Sequence, residues 1–375
     1  MDILREILTA LESEQHIMLA TIISTTGSTP ASALSKMMVS AGGEKWAGTV
    51  GGGCMEGDVL QEAIRFYGTG TARILTFHLN ETNIDQGLIC GGSVDILIEP
   101  ISRSDLPLIK ELKSLRDDGS DCIIATFISN DGRATTKHCI TTSSDWNDGT
   151  IEWDRHLPHT PQSPIDPEAG NLQDIARKVY RHNETKRIKT EIGEWILEPL
   201  NGTPSLIIFG GGHVSKYISR AAAMSGFHVT VVDDRPEYAN VQRFPEAFKT
   251  MAEDFHEALQ HIEIKSSTYI VIVTRGHRSD EEILERVISS PAKYIGMIGS
   301  QRKVLTTYEH LAKKGISVQL MERVHAPIGI EIGATTAEEI GISVVAQLIA
   351  VRRGEVNKQK NKSDVMITQI SRIEL

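Results

Sequence analysis

The chain has 375 residues, 40% hydrophobic and 23% charged, with a formal net charge of −10. Such a length is too great for one core and predicts two or three domains of ordinary globular composition. The negative charge argues against nucleic acid or an anionic membrane as main partner, and no apolar run reaches the roughly 18 residues of a membrane-spanning helix.

Residues 2–13 place Ile3, Ile7, Leu8 and Leu11 on one helical face. The charges interleaved with them are not those of a signal peptide. Four cysteines without a C-x-x-C pair make no disulfide framework, so the expected compartment is a reducing cytosol. Residues 17–24 read as a strand. Residues 35–40 and 45–50 are expected to pair as a hairpin about Gly42-Gly43. Gly51-Gly52-Gly53-Cys54 then precedes a helix over 56–66, and 73–79 is a further strand. A second glycine-rich loop, Gly87 to Gly92 with Cys90 inside it, runs into a strand over 94–99.

After a helix near 106–115 the pattern restarts. Ala125-Thr126-Phe127-Ile128-Ser129 echoes Ala20-Thr21-Ile22-Ile23-Ser24, and Ile196-Leu197-Glu198-Pro199 echoes Ile96-Leu97-Ile98-Glu99-Pro100. The order of these matches suggests that 1–100 and 101–200 are related halves of one β-rich unit; coincidence between apolar strands is the alternative. The second half lacks the glycine–cysteine loops. In their place it carries a polar, proline-containing stretch over 141–170 that reads as loop.

Asn201-Gly202-Thr203-Pro204 is a break. Beyond it, Leu206 to Phe209 form an apolar run expected of a strand buried on both faces. Gly210, Gly211 and Gly212 follow, as a backbone that turns tightly beside a phosphate requires. From Val214 the apolar period is helical, Gly226 ends the helix, and a second strand runs to Asp233. Asp233 lies 23 residues after Gly210, about where a ribose-binding carboxylate is expected. Ser215 stands where the fingerprint has its third glycine, which weakens the case for tight dinucleotide binding. Strands over 247–251, 269–273 and 293–298 then alternate with helices over 255–262 and 280–288, and Gly299 to Lys303 opens another helix. Thr336 and Glu339 form a capping-box pattern before a last helix buried through Ile340, Val344 and Leu348. The expected fold is α/β: a C-terminal Rossmann-like doubly wound parallel sheet over 201–375, and an N-terminal α+β, β-rich domain over 1–200. Gly210–Gly212, Asp233, Arg275 to His277 and Gly299 to Arg302 all fall at strand carboxyl ends, where such sheets bind ligands.

Cys54 and Cys90 each lie beside consecutive glycines, and Cys54 also sits at a helix start, a position that lowers a thiol pKa and favours anions. The alternative for any cysteine is a small buried apolar residue, the reading that suits Cys122 and Cys139. Since both glycine loops adjoin strands of one sheet, Cys54 and Cys90 are expected to lie near each other. His213 follows the glycine triplet and is placed to face a phosphate, or simply solvent. His277 follows a strand with Arg275 and Asp280 nearby. Ser300, Arg302 and Lys303 open a helix, where the cations would neutralise phosphate or form a solvated pair. No H-E-x-x-H, Walker A or G-x-S-x-G motif is present, and no general-base constellation is evident from spacing.

The sequence resembles the XdhC/CoxI family, accessory proteins of xanthine dehydrogenase and related molybdenum hydroxylases. The resemblance rests on Gly27-Ser28-Thr29-Pro30, Lys36-Met37, Gly48 to Glu56, Cys90-Gly91-Gly92, Phe209 to Val214, Val232 to Arg235, Arg243-Phe244-Pro245, Thr274 to His277, Tyr294 to Ser300 and Pro327-Ile328-Gly329. It departs at Ala31 to Ser35, where the family usually has a basic residue and a glycine. The resemblance implies a cytoplasmic chaperone rather than a catalyst. Such a protein binds the molybdenum cofactor (molybdopterin), holds it while a cysteine desulfurase installs a terminal sulfur, and delivers it to a xanthine dehydrogenase-type molybdenum hydroxylase. On that reading Gly51, Gly52, Gly53, Cys54, Cys90, Gly91, Gly92, Gly210, Gly211, Gly212, His213, Asp233, Arg275, His277, Ser300 and Arg302 contact the cofactor, with Cys54 and Cys90 as metal-facing thiolates. An NAD(P)-dependent oxidoreductase, or a nucleotide-binding regulatory protein without chemistry, are the alternatives. NAD(P) or another nucleotide in the Rossmann crevice, and a homodimer, stay open.

Overall fold

The structure, a computed structural model, describes residues 2–14, 16–27, 29, 33–40, 43, 46–79, 92–133, 135–142, 151–153 and 170–355. It divides into two units, Met1–Gly202 and Thr203–Leu375.

In the first unit, strand alternation builds two layers. β1 (His16–Thr26), β2 (Lys36–Val39), β3 (Trp46–Gly48), β4 (Arg73–Leu79) and β5 (Gly92–Ser102) form an antiparallel sheet ordered β3-β2-β1-β5-β4. Met18, Ala20 and Ile22 of β1 point to one face, where Met55, Val59 and Ala63 of α2 (Gly53–Phe66) cover them. Ile17 and Leu19 point to the other, against α1 (Ile3–Ser13) and α3 (Leu106–Asp117). α1 buries Leu4, Ile7 and Leu11; the expected face is thus rotated by about one residue, with Ile3 and Leu8 only half-buried at its margin. The Asp2 side chain caps this helix by accepting from Arg5 N.

The second sheet contains β6 (Cys122–Ser129), β7 (Thr135–Thr142), β8 (Ile151–Trp153), β9 (Lys186–Lys189) and β10 (Gly193–Leu200), ordered β8-β7-β6-β10-β9. Its strand order is that of the first sheet, element for element, and α4 (Gly170–His182) covers its outer face as α2 covers the other. Ala20 and Ala125 sit on the two central strands, β1 and β6. One expectation needs correcting. The stretch 141–170 is not all loop, because Ile151–Trp153 pairs with β7 as an edge strand; three residues inside a polar run carry too little periodicity to be read. Cys122 and Cys139 are buried in β6 and β7.

In the second unit, β11 (Ser205–Phe209), β12 (His228–Asp233), β13 (Lys249–Ala252), β14 (Thr268–Ile272), β15 (Tyr294–Met297) and β16 (Val324–His325) make a parallel sheet ordered β13-β12-β11-β14-β15-β16. This is the doubly wound dinucleotide-binding order. α6 (Phe255–His261), α7 (His277–Val287) and α8 (Gln301–Lys313) cover one face. α5 (His213–Met224) and α10 (Ala337–Arg352) cover the other, the latter opened by a Thr336–Glu339 capping box. A short helix, α9 (Val318–Glu322), and β16 were not legible at their lengths. Among the described residues no helix is long and apolar enough to cross a membrane.

Candidate functional site

Two glycine turns, one in each unit, organise the candidate residues. In the first unit Gly51, Gly52 and Gly53 all have positive φ, at 125°, 72° and 63°, which side-chain-bearing residues rarely adopt. The loop is braced from within. Gly51 N donates to Thr49 Oγ1 at 3.1 Å, Gly52 N to Glu56 Oε2 at 3.0 Å, and the Thr49 hydroxyl to the same Glu56 oxygen at 2.5 Å. No side chain caps α2, whose second residue is Cys54. A Cβ added at Gly52 or Gly53 would meet nothing within 4 Å, so both face open space. Thr49 and Glu56 were not singled out from sequence, although both stand in the block that carries the family resemblance.

Cys90 and Gly91 lie outside the described residues. Their flanks do not. Leu79 pairs with Gly92, Thr26 with Ser93, Thr21 with Lys36 and Met37 with Gly48. The connections after β1, after β3 and after β4 therefore leave one edge of the first sheet. The matching edge of the second sheet is closed differently: β9 turns into β10 at once, with Thr190 N donating to Gly193 O at 2.8 Å.

In the second unit Gly210 has φ +104°, and a Cβ there would lie 2.5 Å from Val273 O. Gly211 is pressed by the chain that follows β12: a Cβ on it would lie 2.2 Å from Tyr238 O. That β12–β13 crossover holds turns in place of a helix, and Arg243 Nε donates to Gly211 O at 2.8 Å. Arg243 Nη2 has no hydrogen-bond partner despite being buried. Gly212 is open, and no side chain caps α5, where His213 stands as first residue. Ser215 is fully buried and donates to Gly210 O. The residue that breaks the glycine fingerprint thus ties the helix back to the turn.

Asp233 ends β12 and is buried, 2% exposed. Its Oδ2 accepts from Gly211 N at 2.7 Å and Arg235 Nη2 at 3.1 Å; its Oδ1 accepts from Arg235 Nε at 2.8 Å and Arg235 N at 3.1 Å. Those four bonds use the acceptor positions of a carboxylate. Burial would raise this carboxyl, but the Arg235 and Gly211 hydrogen bonds hold it below the ordinary value. The Arg235 guanidinium lies over the Tyr238 ring, 3.5 Å from its centroid. Arg275, at the end of β14, pairs with Asp234 at 3.1 Å. Spacing could have flagged Arg235, two residues past Asp233; Tyr238 and Arg243 became visible only through the fold of the crossover.

His277, Ser300 and Arg302 come together elsewhere on the same sheet edge, along a groove between α7 and α8. Behind it Asp280, fully buried, accepts from Thr274 N and Oγ1 at 3.1 and 2.6 Å and from Lys303 Nζ. Lys303, read as a phosphate neutraliser or solvated cation, is instead committed to that carboxylate. Among the described residues no group of three or more His, Cys, Asp or Glu is placed to hold a metal.

The family model described as the XdhC Rossmann domain matches residues 206–348, and that of the XdhC and CoxI family matches residues 10–78. The chain belongs to the XdhC/CoxI family. The second match runs from the last turn of α1 into β4 with the Gly51–Gly53 turn; the first covers β11 into α10 with the Gly210–Gly212 turn. Over 348 residues the chain is 26% identical to a Bacillus subtilis protein named as a probable subunit of xanthine dehydrogenase, covering 92% of this chain and 95% of that one. Over 350 residues it is 21% identical to the Escherichia coli molybdenum cofactor insertion chaperone PaoD, covering 93% and 88%. A 150-residue stretch is 35% identical to the uncharacterized E. coli protein YqeB but spans only 27% of that longer relative. A crystal structure of a Bacillus halodurans protein described as a xanthine dehydrogenase has a TM-score of 0.72 at 24% identity, over 97% of this chain and 99% of that one. It shares the fold of this XdhC/CoxI-family chain.

Proposed function

We propose that this chain is an accessory protein of molybdenum hydroxylase maturation. It binds the molybdenum cofactor, keeps it from solvent while a cysteine desulfurase installs the terminal sulfur, and delivers it to a xanthine dehydrogenase-type hydroxylase. The observation that carries the reading is the single edge of the first sheet from which the Gly51–Gly53 connection and the connection holding Cys90 both depart. It gains weight from family membership and from the relative named as a molybdenum cofactor insertion chaperone.

The residues fit such a cargo. A molybdopterin offers a phosphate to bind and a soft metal centre to shield. Within the first unit, the uncapped start of α2 after the open Gly52 offers N–H donors to an anion. The second unit carries an anion site of its own, the uncapped start of α5 beside the open Gly212, with the unpartnered Arg243 Nη2 near that turn. Cys54 at the start of α2 is the soft ligand, and Cys90 is proposed as its companion. The oxidoreductase reading fits less well, because the four hydrogen bonds on Asp233 leave no acceptor for a ribose diol.

The test is pterin and molybdenum per protomer in protein purified from a molybdenum-replete host, with client hydroxylase activity as a second readout, for wild type, Cys54→Ala and Cys90→Ala. Co-purified pterin and molybdenum in wild type, reduced in each cysteine variant, is the expected result. Full loading and delivery by both variants would remove the cysteines from the site; a bound nicotinamide that turns over would replace the reading altogether.

A further inference from the structure

The groove between α7 and α8 has a volume of about 690 Å³, within the range of small-molecule sites. Its side chains come from two helices that start side by side at the carboxyl ends of β14 and β15. Most of its charges are already spent. Arg278 pairs with Glu282 at 2.9 Å, and Lys303 pairs with the buried Asp280. At the far wall, Glu281 takes His310 at 2.9 Å and Lys314 at 3.3 Å, while Lys314 also holds Glu285 at 2.6 Å.

Arg302 is the exception. Alone among the arginines and lysines that line the groove, it has no acidic partner among the described residues. His277, exposed at the start of the facing helix, likewise has none. An exposed guanidinium with open donors prefers a planar or tetrahedral oxyanion over water alone. With the ions beside it paired, Arg302 leaves net positive charge at its end of the groove. That local sign opposes the −10 of the whole chain, so an anion is drawn here against the general field. α7 has Gly276 as its N-cap, without a side-chain cap, adding N–H donors beside His277.

We infer that this groove is a second ligand site, separate from the glycine crevice, and that it takes a small phosphorylated molecule. Arg302 and His277 hold the phosphate, Ser300 lies beside them, and the remainder of the molecule lies along the groove toward His310. The site does not depend on what fills the crevice at Gly210–Gly212, nor on the molybdenum cofactor reading.

The experiment is calorimetric titration of the full chain with inorganic pyrophosphate at low salt. Three proteins are compared: wild type, Arg302→Ala and Gly212→Asp. Gly212 has ordinary negative φ and open space around it, so an aspartate there folds without strain while repelling anions from the start of α5. Arg302 is exposed, so its loss does not unfold the unit; Arg302→Gln, which keeps the bulk, guards against a packing effect. The expected result is pyrophosphate binding weakened about tenfold or more by both Arg302 variants and retained in Gly212→Asp. Binding abolished by Gly212→Asp and untouched at Arg302 would overturn the proposal, as would no binding by wild type at millimolar pyrophosphate. Failure of cofactor loading, with pyrophosphate binding at Arg302 intact, would sink the accessory-protein reading and leave this site standing.

Discussion

Lys36 of β2 reaches out of its own sheet to Glu198 of β10, Nζ to Oε1 at 2.8 Å. The second sheet returns the same contact: Lys137 of β7 meets Glu99 of β5 at 2.6 Å. Each lysine also donates to a threonine of its own central strand, Lys36 to Thr21 at 3.0 Å and Lys137 to Thr126 at 2.8 Å. All four charged side chains are largely buried, Glu198 at 2% and Glu99 at 1% exposure. Burial raises the Glu99 carboxyl, and Lys137 opposes the rise.

Removing one charge should therefore cost more than removing two. Lys36→Met leaves Glu198 buried without its cation and is expected to destabilise the first unit by about 3–5 kcal/mol. Lys36→Met with Glu198→Leu should recover most of that loss. Trp46, Trp146, Trp153 and Trp195 all lie in this unit, so tryptophan fluorescence in urea reports on it alone. A double variant whose loss equals the sum of the Lys36→Met and Glu198→Leu losses would show that the pair is not energetically coupled.

His325 gives the second unit a dependence on acid. It stacks on Tyr294, ring centroids 4.6 Å apart, and burial lowers its pKa from the ordinary 6.5 to about 4. Unfolded chains take up this proton below about pH 6.5 and the native state does not, so stability falls as pH drops from 6.5 toward 4. The loss at pH 5 relative to pH 7 is about 2 kcal/mol. His325→Phe keeps the stacking and should flatten this part of the profile, read as the difference between variant and wild type in unfolding free energy. A variant that follows wild type through this range would rule His325 out as the source.

Gly211→Ala should loosen the crossover that covers the turn. Its methyl would sit 2.2 Å from Tyr238 O, and backbone cannot yield as a side-chain tip can. A destabilisation of about 1–3 kcal/mol is expected, together with loss of the Arg243–Gly211 contact. Ser215→Ala, which removes one donor to Gly210 O, should cost only about 1 kcal/mol. Thermal unfolding of the two variants checks the ranking, and the reverse order would contradict it.

Arg235→Ala should give Asp233 back its acceptors. Three of the four hydrogen bonds on that carboxylate come from Arg235, two of them from its guanidinium. Adenosine, a neutral ligand with a ribose diol, should then bind the variant more tightly than wild type, as followed by calorimetry. Equally weak binding by both would mean that the crevice is not shaped for a ribose at all.

The parallel sheet was readable because its apolar strands and glycine turn follow one another locally, and a glycine at +104° can be anticipated from its neighbours. Helix starts were read late. α2 begins at Gly53 and α7 at His277, since glycine and polar residues obscure the first turn. The echo of Ala20–Ser24 in Ala125–Ser129 falls on the central strands of two sheets with one strand order. What that echo could not reveal is the exchange of charges. Lys36 and Glu198 are 162 residues apart, and each reads alone as a solvated residue in a strand. The α7–α8 groove escaped for a similar reason: His310 and Lys314 lie far along a helix from the Ser300 and Arg302 they accompany.

The crossed lysines make each half of the first unit custodian of the other's counter-ion. A chain cut after the first sheet would keep its glycine–cysteine connections, yet Lys36 and Glu99 would lose the partners against which each is buried, Glu198 and Lys137. The second sheet, whose matching edge closes with a short turn, thus holds the first through charge as well as packing, a role unconnected with ligands.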